Sequence, residues 1–301
     1  MPLPFAEVRR ARPLLGTLVE VAVRGAADPD AAVESAFRVV AHVQSLMSYH
    51  DPASDLSRLN RQAPRRPVAL QADTHEVLCA ALALSERTAG AFDVTVAPQL
   101  ERQGLLPRHL RGVAPGTWRD VECLSGRRVR FRRPLRIDLG GIAKGYAVDR
   151  ACAALRAIGV DSALVNAGGD LRVIGATAWP IAVRHPANPG QHIPLCDLVD
   201  GAVATSAGYF LACGSSARSQ RALVDGRSRH TRDWLGSVSV SAPTCLKADA
   251  LTKVVGLLGV RAESLLIHER ATACIIDANG KPRILGVGRS RAPAADGHGA
   301  A

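Results

Sequence analysis

Aromatic residues make up only 4% of this 301-residue chain. No segment carries the closely spaced rings on which successive bases stack in single-strand-binding proteins. The densest basic segment, "GRRVRFRRPLRI" from Gly126 to Ile137, contains Phe131 as its one ring. Seven cysteines are present, an odd number, and none forms a Cys-x-x-Cys pair. Neither a zinc site nor a disulfide framework is indicated, and a reducing compartment fits best. No apolar run reaches the eighteen or so residues of a membrane span, and "MPLPFAEVRRARPLLG" lacks the apolar core of a signal peptide. The expectation is a cytoplasmic protein with no membrane segment, unless the start site omits an export signal. Repeats at solenoid spacing are also missing.

What is present in excess is arginine. The formal charge is +11 and the pI is about 10. The arginines are scattered along the chain, which is the pattern of a solvated surface, and no nucleic-acid partner is expected. In the basic segment Val129 and Phe131, then Leu135 and Ile137, alternate with arginine on either side of Arg133-Pro134, predicting two strands with one wet face.

Elsewhere the order of elements is mixed α+β. "TLVEVAVRG" alternates as a strand from Thr17. Asp28 to Met47 follows as a helix, with Val33, Phe37, Val40, Val43 and Met47 on one stripe. "MSYHDPASDLSRLN" is expected to be a loop. Asp73 is expected to cap a second helix, with Glu76 completing a capping box and Gly90 just past its end. Further along, a strand is predicted to end at Asp138, before a turn holding Gly140, Gly141 and Lys144 and a helix burying Val148, Cys152 and Leu155. "SALVNAGGDLRVIG" gives two strands about a Gly168-Gly169 turn. "WPIAVRHP" and "GAVATSAGYF" read as strands, "SVSVSAPTCLKADALTKVVGLLG" as a strand and a helix, and "ACIIDANGKPRIL" as a hairpin turning at Asn279-Gly280. Residues 1–288 are read as a single domain of one or two lobes, and residues 289–301 as a disordered tail.

Three places carry candidate chemistry. In "DLGGIAKG" the glycines free backbone amides beside a lysine, a common way to hold phosphate, although a tight turn with Lys144 in solvent fits equally well. The segment lacks the Gly-Lys-Ser/Thr of a Walker loop and the GxGxxG of a dinucleotide fold. Asp93 in "GAFD" either caps a turn or reads a polar ligand edge. Asp249 and Lys253 lie four apart on a predicted helix and can pair, either as a surface salt bridge worth a few tenths of a kcal/mol or at a buried helix start.

The ordered set "LLGT", "MSYHDPASDLSRLN", "GAFDVTVAP", "IDLGGIAKGYAVDRA", "LVNAGGDLRVIG", "AVATSAGYF" and "CLKADALTKVVGLLG" resembles the ApbE family, the FAD:protein FMN transferases. The resemblance runs over nearly the whole chain up to the tail. It implies a fold of mixed and antiparallel sheets flanked by helices, with a flavin site between two lobes. It also implies a magnesium-dependent reaction in which FAD loses AMP and FMN is joined to a threonine or serine hydroxyl of an acceptor protein carrying a flavinylation motif. Mg2+ and FAD would be the cofactor and the substrate. By position, Leu15, His50, Ala91, Phe92, Asp93, Asp138 and Lys144 would contact FAD. Gly141 and Thr252 through main-chain oxygens, and Asp249 through its carboxylate, would hold the metal, with Asp249 and Lys144 as the catalytic pair.

Departures from the family pattern are specific. Lys253 stands where a metal-ligating threonine is usual, and an ammonium cannot ligate a cation. Leu15 replaces methionine, His50 an aromatic ring, and Ser206-Ala207-Gly208 the usual Ser-Gly-Asp. The loop "HTRDWLG" keeps His230 and Asp233 but has Trp234 where proline is expected. The alternatives implied are an FAD-binding protein in which Lys253 replaces the metal, or an FAD pyrophosphatase.

Overall fold

Alternating apolar residues at Val19, Val21 and Val23 bury one face of a strand, and the structure is built outward from it. The computed structural model describes residues 7–108, 113, 115–188, 190–207, 223–232 and 236–287. In chain order its first elements are β1 (Val8–Leu14), β2 (Thr17–Arg24), α1 (Pro29–Met47), α2 (Asp55–Gln62), β3 (Val68–Ala69), α3 (Ala72–Arg87) and α4 (Ala97–Arg102). Next come β4 (Val121–Leu124), β5 (Arg128–Phe131), α5 (Ala143–Ala157), β6 (Ser162–Ala167), β7 (Asp170–Ile174), β8 (Trp179–Arg184) and β9 (His192–Leu198). The last are β10 (Gly201–Ala207), β11 (Ser237–Ala242), α6 (Cys245–Leu258), α7 (Glu263–His268), β12 (Thr272–Ile276) and β13 (Pro282–Gly286).

Eight strands form one antiparallel sheet in the order β1-β2-β6-β7-β10-β11-β12-β13. Because side chains alternate along each strand, the sheet has two apolar faces. Val21, Val23 and Val165 point into the main core with α1, α5 and α6, whereas Ala22, Leu164 and Val203 meet Trp179, Ile181 and Leu198 of the β8–β9 ribbon. A second small sheet, β3-β5-β4, supplies Val68, Val121, Val129 and Phe131 to the main core.

The α1 stripe is buried as its spacing requires, and Asp28 caps the helix by accepting from Ala31 N at 3.0 Å. The hairpin at Asp277 to Lys281 also forms as expected. Three expectations need correction. Residues 55–62 are the helix α2 rather than loop, because Ser54 Oγ accepts from Ser57 N at 3.0 Å and starts it. Gln71 and not Asp73 sits at the cap position of α3, and it makes no side-chain cap bond. Asp73 and Glu76 instead accept from Tyr146 Oη on α5, at 2.7 and 2.9 Å, a partner invisible in local sequence.

In the basic segment only the first predicted strand forms. Its hairpin partner is the preceding β4, so Leu135 to Asp138 has no neighbouring strand in a ladder. Asn60 takes that role: its side chain donates to Ile137 O and accepts from Ile137 N, both at 2.9 Å. Asp138 N donates to Val94 O at 2.9 Å. The amide of a buried asparagine thus imitates one rung of a sheet and fixes the approach to the glycine turn. The tail at 289–301, with Gly208, Asp233 and Trp234, lies outside the described residues.

Replacing Asn60 by alanine would leave the buried N–H and C=O of Ile137 without partners, at roughly 1–3 kcal/mol each when fully unsatisfied. Asn60→Ala is expected to lower unfolding stability by about 2–3 kcal/mol in urea titration. A loss under about 0.5 kcal/mol, the range of neutral surface changes, would show that the rung is dispensable.

Candidate functional site

Helices α5 and α6 cross so closely at Gly145 that no side chain fits there. A Cβ on Gly145 would stand 2.2 Å from Cys245 O and 2.8 Å from Asp249 Cβ. The contact lets Gly145 N donate to Asp249 Oδ2 at 3.0 Å, so a backbone amide meets a fully buried carboxylate. One turn on, Asp149 accepts from Cys245 N at 2.9 Å and Leu246 N at 2.8 Å, capping α6 from a neighbouring helix, while Thr244 caps it locally.

On this scaffold two lysines and two aspartates meet. Lys253, one turn beyond Asp249, pairs with Asp249 Oδ1 and also donates to Asp249 O at 3.1 Å. Lys144, one residue before Gly145, pairs with Asp170 at the start of β7. Asp170 is 1% exposed and Asp249 is completely buried, whereas both lysines keep partial access to solvent. Burial works against the Asp249 charge, but Lys144 and Lys253 outweigh it and hold its carboxyl below the ordinary value. Burial likewise works against the Lys144 charge, and Asp170 and Asp249 reverse it, raising the ammonium. Burial and the neighbouring Asp249 raise the Asp170 carboxyl above its ordinary value despite Lys144 and Lys253, and the lysine ends of the cluster are the accessible ones.

Asp170 was the residue missed. In "NAGGD" the sequence shows a turn, and the turn is real: Asn166 Oδ1 accepts from Gly169 N at 2.8 Å. Gly168 has φ +66°, and a Cβ there would meet Thr17 Oγ1 at 2.3 Å. That close approach brings the "NAGGD" turn against the "LLGT" turn, where Leu15 itself has φ 56° and donates through its N–H to Gln44 Oε1. Gly-Gly-Asp at the end of one strand and the start of the next was the available signal for Asp170.

Phe92, Gly141 and Lys253 also converge. A Cβ on Gly141 would lie 3.5 Å from the Phe92 ring and 4.0 Å from Lys253 Cε. Ala91 and Phe92 are buried. Thr252 is buried too, and its hydroxyl donates to Asp249 O at 2.7 Å and bonds Ser206 Oγ at 2.8 Å rather than facing the Asp249 carboxylate.

Asp93 behaves as the cap that its position allowed. Oδ1 accepts from Thr95 N and Thr95 Oγ1, both at 2.8 Å, and Oδ2 accepts from Trp118 N at 3.2 Å and Arg229 Nη2 at 3.1 Å. Its four acceptor positions are filled. Gly226 N donates to Ala91 O at 2.9 Å, so the segment 223–232, which includes the exposed His230, is tied to the Ala91-Phe92 wall.

Asp138 is different. Its Oδ2 accepts from Gly140 N at 3.0 Å, and the exposed His50 lies near enough to act on its charge. Desolvation nevertheless dominates and pushes the carboxyl up to about 6. A folded-state value above that of a free aspartic acid means that the folded chain holds this proton more tightly. The contribution is complete below the free value near 4 and is lost as pH rises through 6. Relative to Asp138→Asn, wild-type stability is expected to fall by on the order of 2 kcal/mol between about pH 4 and 7. Urea titrations across that range test this, and parallel curves for the two proteins would contradict it.

The model of the ApbE family matches residues 15–276. The FAD:protein FMN transferase of Treponema pallidum is 30% identical over 305 residues, covering 87% of this chain and 82% of that protein. The FAD:protein FMN transferase of Vibrio cholerae is 27% identical, covering 85% of this chain and 83% of that protein. Among solved structures, the ApbE protein of Thermotoga maritima superposes with a TM-score of 0.79 at 26% identity, covering 92% of this chain and 96% of that one. The fold of antiparallel sheets flanked by helices is the same. With the family model matching residues 15–276 and relatives covered over most of their length, the chain belongs to the ApbE family.

Proposed function

We propose that this chain is an FAD:protein FMN transferase. In the proposed reaction a threonine or serine hydroxyl of an acceptor protein attacks the FMN phosphorus of FAD. A new P–O bond forms, the bridging oxygen leaves with AMP, and the hydroxyl proton passes to solvent or to a nearby base. The observation that carries the reading is the pair of partly accessible ammonium groups, Lys144 and Lys253, each anchored on a buried aspartate beside a glycine turn. Fixed positive charge at that place suits a pyrophosphate and the charge that develops on departing AMP. Two of the chain's curated relatives bear this activity in their names.

On this reading Lys144 contacts the phosphates and Asp249 is the anionic base of the site. Gly141, Phe92 and Ala91 form one wall against the flavin nucleotide, and Leu15, His50 and Asp138 border it from the neighbouring turns. Asp93, with every acceptor position engaged, acts by tying the Ala91-Phe92 wall to segment 223–232.

Magnesium is implied by the family, with the main-chain oxygens of Gly141 and Thr252 and the Asp249 carboxylate as donors. The residues present do not fit a divalent ion while Lys253 stays in place. Asp249 Oδ1 is paired with the Lys253 ammonium, Oδ2 accepts from Gly145 N, and the Thr252 hydroxyl points to Asp249 O and Ser206. An ammonium beside the ion would repel it and supply no lone pair. Lys253 therefore serves as the fixed positive charge in the proposed site. The same observation favours, as a second reading, a binder of FAD that no longer transfers.

Incubation with FAD and an acceptor domain, with and without Mg2+, followed by intact mass and AMP detection, separates these readings. The expected result is an acceptor heavier by FMN, with AMP released, and a Lys253→Thr variant whose transfer depends more strongly on Mg2+ than that of wild type. Bound FAD with neither product would identify a binder, and FMN with AMP but no adduct a pyrophosphatase. Equal metal dependence in wild type and variant would refute the fixed-charge role.

A further inference from the structure

A second cluster of reactive side chains lies on α3 and β4. His75 and Cys79 are four residues apart on α3 and so share a face, and β4 carries Cys123 opposite them. The Cys79 and Cys123 sulfurs are 3.9 Å apart, and both ring nitrogens of His75 lie 3.7 Å from Cys79 Sγ. One donor atom from each of the three residues falls within 4.8 Å of the other two. Among the described residues this is the single group of His, Cys, Asp or Glu side chains that meets this condition.

Those separations decide between two chemistries. A disulfide requires the sulfurs to close to about 2.0 Å, so the pair at 3.9 Å would have to move. In a tetrahedral zinc site, with Zn–S of about 2.3 Å and Zn–N of about 2.0–2.1 Å, two sulfurs stand about 3.8 Å apart, and sulfur and nitrogen about 3.6 Å. The observed 3.9 and 3.7 Å are close to these two edges, and the third, from His75 to Cys123, falls within 4.8 Å. Two sulfurs and an imidazole are the soft to borderline donors that such a cation selects over magnesium. Cys79 and Cys123 also line an open groove with Glu86 and Trp118, so water can reach a fourth coordination position.

We propose that His75, Cys79 and Cys123 form a binding site for a thiophilic divalent cation of the zinc class, with its fourth position open to the groove. Such an ion would clip α3 to the small sheet. Trp118, which lines the groove, also donates its main-chain N–H to Asp93, so the clip would brace the shell around the Ala91-Phe92 wall. A search for Cys-x-x-Cys overlooks the site because its second thiol comes from a different element, forty-four residues along the chain.

The test is titration of the reduced full-length chain with Co2+ as the spectroscopic probe, followed by Zn2+. The expected result is one equivalent of cobalt giving thiolate charge-transfer absorption in the near ultraviolet and tetrahedral bands in the visible, both abolished by zinc. A cobalt ion at the Asp249 site would have oxygen donors and no thiolate band, so the two sites are told apart. Loss of an outer-shell partner alone weakens metal binding roughly tenfold or more, so Cys123→Ser and Cys79→Ser should each weaken it by at least about tenfold. A readout on the unaltered chain is alkylation mapped by mass spectrometry. Zinc should protect Cys79 and Cys123 while the exposed Cys196 stays reactive. Absence of the thiolate band at saturating cobalt, its persistence in the Cys79→Ser/Cys123→Ser double variant, or equal labelling with and without zinc would overturn the proposal.

Discussion

The close crossing of α5 over α6 at Gly145 is the contact on which the site depends. It brings a backbone N–H to the buried Asp249 carboxylate, and the residues on either side inherit their positions from it. Lys144 is aimed at Asp170, Asp149 caps α6, and Lys253 closes on Asp249 one turn later. Removing one partner of a buried ion pair costs roughly 3–5 kcal/mol because it leaves a charge unpaired. The quartet is therefore held together as a unit, with the two carboxylates inside and the two ammonium groups toward solvent. That arrangement costs stability relative to an apolar contact and, on the proposed function, supplies a fixed anion-binding pole in return.

A second constraint positions the turn that faces this pole. Asn60 supplies both hydrogen bonds to Ile137 that a neighbouring strand would otherwise supply, and Asp138 leans on Val94. The chain reaches Gly140 and Gly141 from a fixed direction without belonging to a sheet. Buried Glu101 extends this support, accepting from Tyr49 Oη at 2.6 Å and from Arg136 at 2.7 Å. The glycine turn and its backing are thus joined by polar contacts between segments far apart in sequence.

That distance explains what was legible in the sequence. The α1 stripe, the strands about Gly168-Gly169, the β11–α6 unit and the hairpin at Asn279-Gly280 follow from local periodicity and turn chemistry, and all are present. The pairing of Asp249 with Lys253 follows from their spacing on a helix. The partners of Lys144, Gly145 and Tyr146 do not, since Asp170, Cys245 and Asp73 are brought to them by tertiary packing. The assignment of Asp73 as a cap failed for the same reason: a local rule was outweighed by a tyrosine from another helix. Asp93 shows the converse, because the local rule for a carboxylate before a helical turn was sufficient. In the strand β9 Ile193 and Leu195 do alternate, but Pro194 between them is a residue that breaks a strand pattern.

The central claim is that Lys144, anchored on Asp170, and Lys253, anchored on Asp249, form the phosphate-binding pole of a flavin nucleotide site. Its most direct test is the equilibrium affinity for FAD compared with riboflavin, which lacks phosphate, in wild type and in Lys144→Met. Tighter binding of FAD than of riboflavin in wild type, with the preference largely erased by Lys144→Met and riboflavin binding unchanged, is the predicted result. An undiminished preference for FAD in the variant would contradict the account.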